Sequence, residues 1–365
     1  MNTDELLGRF MLDGNPVSCE PYGNGHINST FLVQTEKGTR YILQRLSEEA
    51  FKDVPALMEN ISGIAQFLEA KARAEGTPCH VLPPVKTADG MTYIKVTEEE
   101  AGDFAPGYYR VTPFAENSIC LEKPESDEDF YQCAIAFGTF ISELADYPAE
   151  TLHETIPNFH NTPDRYRKFH LAVDADAFGR LSSVTPELRF LLDREVKAGT
   201  LQRLRERGEL PVRVTHNDTK LNNVMLDADT RKALCVIDLD TVMPGLVAYD
   251  FGDSVRFGAS TAAEDEKDLS RVEMSLDLYE TYARGFIPAC GGLTSAEIES
   301  LPMGAWTMTL ENGLRFLTDY LEGDHYYHIA FPEHNLDRCR AQLKLVADME
   351  RKWDRMTEII RRFET

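Results

Sequence analysis

Between residues 17 and 45 apolar and polar positions alternate. Val17 to Tyr22 runs into a glycine-containing turn, Thr30-Phe31-Leu32-Val33 returns, and Arg40-Tyr41-Ile42-Leu43-Gln44 makes a third strand. The period then changes. From Val54 to Lys71, the residues Leu57, Met58, Ile61, Ile64, Ala65 and Leu68 fall on one helical face. Strand patterns return near His80–Val85, Met91–Val96 and Tyr108–Pro113. Three strands, one helix and two further strands drawn from these three stretches predict a small, five-stranded α+β lobe over residues 1–112. Residues 113–117, Pro113-Phe114-Ala115-Glu116-Asn117, read as a hinge, and 118–365 as a larger, mainly helical lobe. Ser126-Asp127-Glu128-Asp129 has the capping-box pattern and opens a helix through Leu144; Thr294-Ser295-Ala296-Glu297 opens another. A last helix is predicted from about Leu336 to Phe363, with Leu343, Val346, Met349, Trp353, Met356 and Ile360 as core contacts.

Composition narrows the function classes. The 365 residues suffice for two cores. A formal charge of −23 argues against nucleic-acid or anionic-membrane partners, which require basic patches. No run of about 18 apolar residues predicts a membrane span, and the acidic start Met1-Asn2-Thr3-Asp4-Glu5 has no signal-peptide pattern. The seven cysteines contain no C-x-x-C pair, as expected of free thiols in a reducing cytoplasm. His325 and His328 form an H-x-x-H pair with nothing nearby to complete a metal site.

The chemistry is concentrated in His216-Asn217-Asp218-Thr219-Lys220-Leu221-Asn222-Asn223, followed by Val236-Ile237-Asp238-Leu239-Asp240. This reads H-x-D-x-K-x-x-N, then an apolar strand ending in an acid. Phosphoryl transfer from ATP needs such a set: one carboxylate accepts a hydroxyl proton, and an amide oxygen and a second carboxylate hold Mg²⁺ on the phosphates. The spacing matches the catalytic loop and metal-binding acid of the kinase superfamily, which predicts a bilobal, protein-kinase-like α+β fold. Upstream, Tyr22-Gly23-Asn24-Gly25-His26-Ile27-Asn28 places two glycines between strands, where backbone N–H groups can approach phosphates. Asn28 occupies the third glycine position of the protein-kinase pattern. Gln44 occupies the position of the phosphate-contacting lysine and brings no charge; Lys220 is the candidate replacement cation. There is no G-x-x-x-x-G-K-S/T loop.

Beyond these motifs, "EPYGNGHINSTFLV", "ETIPNFHNTPDRY", "THNDTKLNNVM", "VIDLDTVMPG", "DFGDSVRFGAST", "RFLTDYLEGD" and "FPEHNL" resemble the aminoglycoside phosphotransferase (choline-kinase-like) branch of kinases. More narrowly, they resemble the bacterial N-acetylhexosamine 1-kinases, nearly end to end. The resemblance implies ATP- and Mg²⁺-dependent phosphorylation of the anomeric hydroxyl of N-acetylglucosamine or N-acetylgalactosamine. Asp218 would accept the O1 proton, with Lys220 beside it. Asn223 and Asp238 would bind Mg²⁺, and Asp240 would bind metal or orient the loop. Gly23, Asn24, Gly25, Asn28, Thr30, Gln44, Thr112 and Phe114 would line the nucleotide site. His26, Asp218, Phe257, Arg315 and Tyr326 would meet the sugar, with Arg315 and Tyr326 in one helical segment, Leu314–Tyr327. His216 would brace the loop by hydrogen bonds.

Two other readings stand beside this one. A kinase of another small alcohol (aminoglycoside, choline, homoserine or a different sugar) would use the same loop. A non-catalytic nucleotide-binding module would explain Gln44 but not the intact Asp218, Asn223 and Asp238. No Ala-Pro-Glu segment follows Asp238, which argues against a protein kinase.

Overall fold

The alternating segments do build antiparallel strands. The computed structural model describes residues 2–23 and 27–363. A short helix α1 (Thr3–Leu7) precedes β1 (Pro16–Pro21), β2 (Ser29–Thr35) and β3 (Arg40–Leu46); α2 (Val54–Glu75), β4 (Ile94–Val96) and β5 (Gly107–Pro113) follow. The strands form one five-stranded antiparallel sheet in the order β1-β2-β3-β5-β4. Side chains alternate across it. Val33, Tyr41, Leu43, Tyr109 and Val111 pack on Leu6, Leu7 and Phe10. Thr30, Gln44 and Arg110 therefore lie on the opposite face, in one cross-strand row: Thr30 pairs with Gln44, and Gln44 with Arg110.

Helix α2 follows the sequence closely. Asp53 caps it, accepting from the Ala56 N–H at 3.0 Å, and Pro55 sits in the first turn. Gly76 ends it at φ 70°, a left-handed conformation glycine adopts without a Cβ clash. The six predicted apolar residues are all buried, in a core continuous with that of the helical lobe. Buried Asn60 ties the helix to that lobe: its Nδ2 donates to the His153 carbonyl and its Oδ1 accepts from the His153 N–H, both at 2.9 Å. The strand expected at His80–Val85 does not form, because Pro83-Pro84 lacks two N–H donors and fixes φ. From this segment the Val85 N–H reaches the sheet, at the Val111 carbonyl, 2.8 Å. The strand expected over Met91–Val96 shortens to β4.

Past Pro113, β6 (Ser118–Cys120) leads to helices α3 (Asp127–Glu143), α4 (Thr162–Ala175), α5 (Thr185–Leu192), α6 (Glu195–Ala198) and α7 (Thr200–Glu206). Four short strands follow, β7 (Arg213–Thr215), β8 (Val224–Asp227), β9 (Ala233–Val236) and β10 (Met243–Gly245), pairing as β6-β8-β9 and β10-β7. Helices α8 (Val247–Gly258), α9 (Leu276–Cys290), α10 (Ser295–Glu322), α11 (His334–Arg351) and α12 (Trp353–Arg361) complete the lobe. The capping boxes at Ser126 and Thr294 form as predicted, opening α3 and α10. The single last helix expected over 336–363 is two, interrupted at Lys352, whose ammonium bonds the Asp348 carboxylate and the Met274 carbonyl, both at 2.8 Å. Among the described residues no helix is long and apolar enough to cross a membrane.

Helices α8 and α10 meet backbone to backbone at Gly252 and Gly304. A Cβ on Gly304 would lie 2.0 Å from the Ala248 carbonyl oxygen, and one on Gly252 would lie 2.3 Å from the Gly304 oxygen. Main chain cannot rotate away as a side chain can, so Gly304→Ala must push the helices apart. We expect it to lower the thermal unfolding midpoint by about 5 °C or more, read by calorimetry; an unchanged midpoint would show that the contact is slack.

Candidate active site

The loop between β7 and β8 carries His216–Asn223, and α8 braces it from below. Buried Asp250 accepts from the backbone N–H groups of His216 (2.8 Å) and Asn217 (2.7 Å), and Asp253 from that of Thr219 (3.0 Å). The Thr219 hydroxyl donates to the Asp250 carbonyl at 2.6 Å, and Ser254 to the Thr219 carbonyl at 2.6 Å. His216 packs against the rings of Phe137 and Phe140. Its Nε2 lies 3.0 Å from the Ile237 carbonyl, which requires Nε2–H as donor, and its Nδ1 accepts from the Asp218 N–H at 3.4 Å. Burial holds its pKa down and so keeps it neutral. His216 thus braces the loop, as the sequence suggested. His160, to which no role was assigned from sequence, holds the far side, its Nε2 3.0 Å from the Asn217 carbonyl. Asn217 (φ 65°) and Asp238 (φ 58°) both adopt the left-handed region, which Asn and Asp tolerate better than most residues and which is common where a site requires it.

Three carboxylates converge above this loop. Asp218 lies 2.9 Å from the Lys220 ammonium. Burial works against its charge, but Lys220, with lesser help from Arg256, holds its pKa below the usual 3.8. Asn223 donates its amide to the Asp218 carbonyl (2.8 Å) and carboxylate (3.2 Å), which leaves its own Oδ1 as an acceptor. Asp238 goes the other way. The surrounding protein, then the Asp240 and Asp218 carboxylates, push it up to about 7, although its side chain still meets solvent. Such a knot of like charge facing an open acceptor oxygen suits a hard, oxygen-liganded cation. Asp240 is buried and both its oxygens are engaged from the other lobe, by the Arg110 guanidinium and by the Asn28 amide at 2.7 Å.

On the sheet side, Gly23 has φ 73°. Asn24, Gly25 and His26 lie outside the described residues. Asn28 is buried; besides reaching Asp240 it accepts from the Ser47 N–H at 3.0 Å. Gln44 donates to Thr30 (3.4 Å) and accepts from Arg110 Nε (3.0 Å). Thr112 is the penultimate residue of β5, and Phe114 just beyond the strand carries the edge of Tyr22 at 6.0 Å and the guanidinium of Arg40 at 4.1 Å.

The expected acceptor residues are only partly together. Half-buried Phe257 is on α8, and Arg315 on α10. Tyr326 is not helical, contrary to expectation: Gly323, at φ 99°, ends α10, and Asp319 then gathers the N–H groups of His325, Tyr326 and Tyr327 at 2.8–3.0 Å. The turn sets Tyr326 (5.7 Å) and Tyr327 (5.5 Å) against the Arg315 guanidinium, with Phe159 at 6.0 Å. Arg165, absent from the sequence reading, adds a second guanidinium whose Nε, like the Tyr327 hydroxyl, is buried without a hydrogen-bond partner among the described residues.

The loop His216–Asn223, tied to an acid-bearing helix and joined to an antiparallel sheet through the contacts of Asp240 with Asn28 and Arg110, is the arrangement of a kinase-like phosphotransferase fold. The sequence pattern of the phosphotransferase enzyme family matches residues 18–285, and the chain belongs to that family. Among solved structures it is similar to a microcompartment-associated aminopropanol kinase (18% identity, 97% of each chain, TM-score 0.64). It is similar also to an aminoglycoside phosphotransferase from Alicyclobacillus acidocaldarius (14%, 100% of this chain and 97% of that one, 0.61). An amicoumacin kinase in complex with AMP-PNP and Ca²⁺ has 13% identity over 94% of this chain and 93% of its own, at 0.61. At these identities the likeness establishes the fold.

Proposed function

We propose that this family member is an N-acetylhexosamine 1-kinase, using ATP and Mg²⁺ to phosphorylate O1 of N-acetylglucosamine or N-acetylgalactosamine. The observation that carries the kinase reading is the contrast between two neighbouring acids. Asp218 is held ionised by Lys220, 2.9 Å away, while at Asp238 burial and the crowding of the Asp240 and Asp218 carboxylates outweigh the pull of Arg110 and Lys220. The first suits a proton acceptor, the second a metal ligand.

In this reading residues 1–112 and 118–365 enclose the nucleotide, hinged at 113–117, with Thr112 and Phe114 beside the base and Gly23–Asn28 over the phosphates. Asp218 orients the O1 hydroxyl in line with the γ-phosphorus. As the new O1–P bond forms and the bond to the β-phosphate oxygen breaks, the O1 proton passes to Asp218 and ADP leaves. A carboxylate with a depressed pKa is a weak base, but an anomeric hydroxyl is more acidic than an ordinary alcohol and the transition state is loose. Lys220 keeps Asp218 charged and lies beside the transferred group. Asn223 Oδ1 and Asp238 would hold the Mg²⁺, which when bound neutralises phosphate charge. Asp240 is a weaker metal candidate, since both its oxygens are taken.

The sugar assignment rests on the long resemblance strings and is supported by the Arg315 wall. Two guanidiniums, a tyrosine hydroxyl and aromatic faces suit hydroxyl and acetyl oxygens; they disfavour a quaternary ammonium, which would seek an aromatic cage, and a polycationic aminoglycoside. Free sugars, their methyl glycosides, choline and an aminoglycoside, each assayed with ATP and Mg²⁺ for ADP release, separate the readings. The two N-acetylhexosamines should turn over and the methyl glycosides should be inert; turnover of choline instead would discard the sugar assignment. Arg315→Ala should raise KM for the sugar by about tenfold or more while changing KM for ATP little, the loss of a hydrogen bond to a charged group. Equal effects on both would remove Arg315 from the acceptor site.

A further inference from the structure

A nucleotide's phosphates need a cation on the sheet side of the cleft, and the expected position holds Gln44, which has none. The cross-strand row supplies one. Arg110 sits on β5 directly opposite Gln44, its side chain 5% exposed. Its Nε donates to Gln44 Oε1 at 3.0 Å, and Gln44 in turn donates to Thr30 at 3.4 Å. Its Nη1 pairs with Asp240 across the cleft. These two contacts fix the plane of the guanidinium, so the direction of the third nitrogen is set in advance. Among the described residues Nη2 has no hydrogen-bond acceptor, which leaves one guanidinium nitrogen for a ligand. Arg110 and Lys220 are also the two cations that act on Asp238, which puts both around the same acid.

We propose that Arg110 is the cation that binds the non-transferred phosphates of the nucleotide in this chain, in the place of a β3 lysine. Gln44 is then its rotamer lock and Asp240 its tether to the catalytic lobe. The inference rests on the reading of the protein as an ATP-dependent kinase. An arginine fork is well matched to phosphate oxygens. It also explains an otherwise odd cost: a buried ion pair between two lobes adds little stability by itself, because two desolvated charges must be offset.

The test is titration calorimetry of ADP on the full chain, with Mg²⁺ and separately in EDTA. Removing Arg110 alone would strand the buried Asp240, so the main variant is Arg110→Met with Asp240→Asn, its fold checked by circular dichroism. It should bind ADP about tenfold more weakly or worse than wild type, and do so in EDTA as well, where a lost metal ligand has no effect. Adding Gln44→Lys to that variant moves a cation back one strand and should recover most of the loss. In turnover, the main variant should raise KM for ATP while leaving KM for the acceptor within about twofold. Unchanged ADP binding in EDTA would overturn the assignment, and so would a loss that Gln44→Lys does not repair. A wild-type protein that binds no ADP at all would instead overturn the kinase reading itself.

Discussion

Asp218→Asn should leave a folded protein whose kcat is lowered by at least about 100-fold, the lower range for losing a general base. The substitution keeps the shape and the hydrogen bond from the Asn223 amide, which now reaches Asp218 at 3.2 Å. It removes the group that accepts the proton and strips Lys220 of its 2.9 Å partner. Because the loop is held from α8 by Asp250 and Asp253 through its backbone, its course should not change. KM values should therefore move little while kcat collapses, the pattern of an interaction made in the transition state. Steady-state kinetics beside a thermal melt check this. Near wild-type turnover would mean that Asp218 is not the base.

Asp238→Ala should abolish the Mg²⁺-dependent part of nucleotide binding and leave any metal-free binding intact. Its pH dependence follows from the upward shift. Asp238 moves from its ordinary 3.8 to about 7, so in the metal-free protein it is largely protonated below pH 7. Metal must displace that proton, and apparent Mg²⁺ affinity should fall as pH drops through 7, approaching tenfold per unit well below it. The linkage to stability has the opposite sign. Between about pH 4 and 7 the folded, metal-free chain binds a proton the unfolded chain does not, so this group contributes stability that is lost as pH rises through 7. Asp238→Ala removes the like-charge crowding, and its metal-free melting temperature at pH 8 should equal or exceed the wild-type value. Calorimetric Mg²⁺ and ADP titrations at pH 6 and 8, with melts in EDTA, report both effects. Wild-type Mg²⁺ dependence in the variant, or a large drop in its metal-free melting point, would contradict the role.

What the sequence made legible was local. The six-residue apolar face of α2 and the capping boxes at Ser126 and Thr294 each lie within a few turns of chain, and each forms; the H-x-D-x-K-x-x-N run is as local, and it sets Lys220 2.9 Å from Asp218. Strand periodicity failed at His80–Val85, where two prolines outweigh the pattern, and it could not see the one-residue break at Lys352, which has no Gly or Pro to mark it. Helix α1 is too short to establish a period. The parts of the site that went unread are tertiary. Arg110 meets Gln44 through strand register, 66 positions away, and Asp240 through the approach of the lobes, 130 positions away. Asp250 and Asp253 did leave a signal, two acids one turn apart in the mainly apolar stretch Val247–Gly258, but nothing local says that they receive the N–H groups of the His216–Asn223 loop. The Arg315 wall depends on Asp319 folding the chain after Gly323, which helical periodicity carried on as helix.

Phosphorus NMR of the product formed from N-acetylglucosamine, ATP and Mg²⁺ reads out which oxygen receives the phosphate. A new phosphate resonance coupled to the anomeric proton is expected, absent when the methyl glycoside is the acceptor and absent with Asp218→Asn. A phosphate on O6, or any phosphorylation of the methyl glycoside, would contradict that expectation.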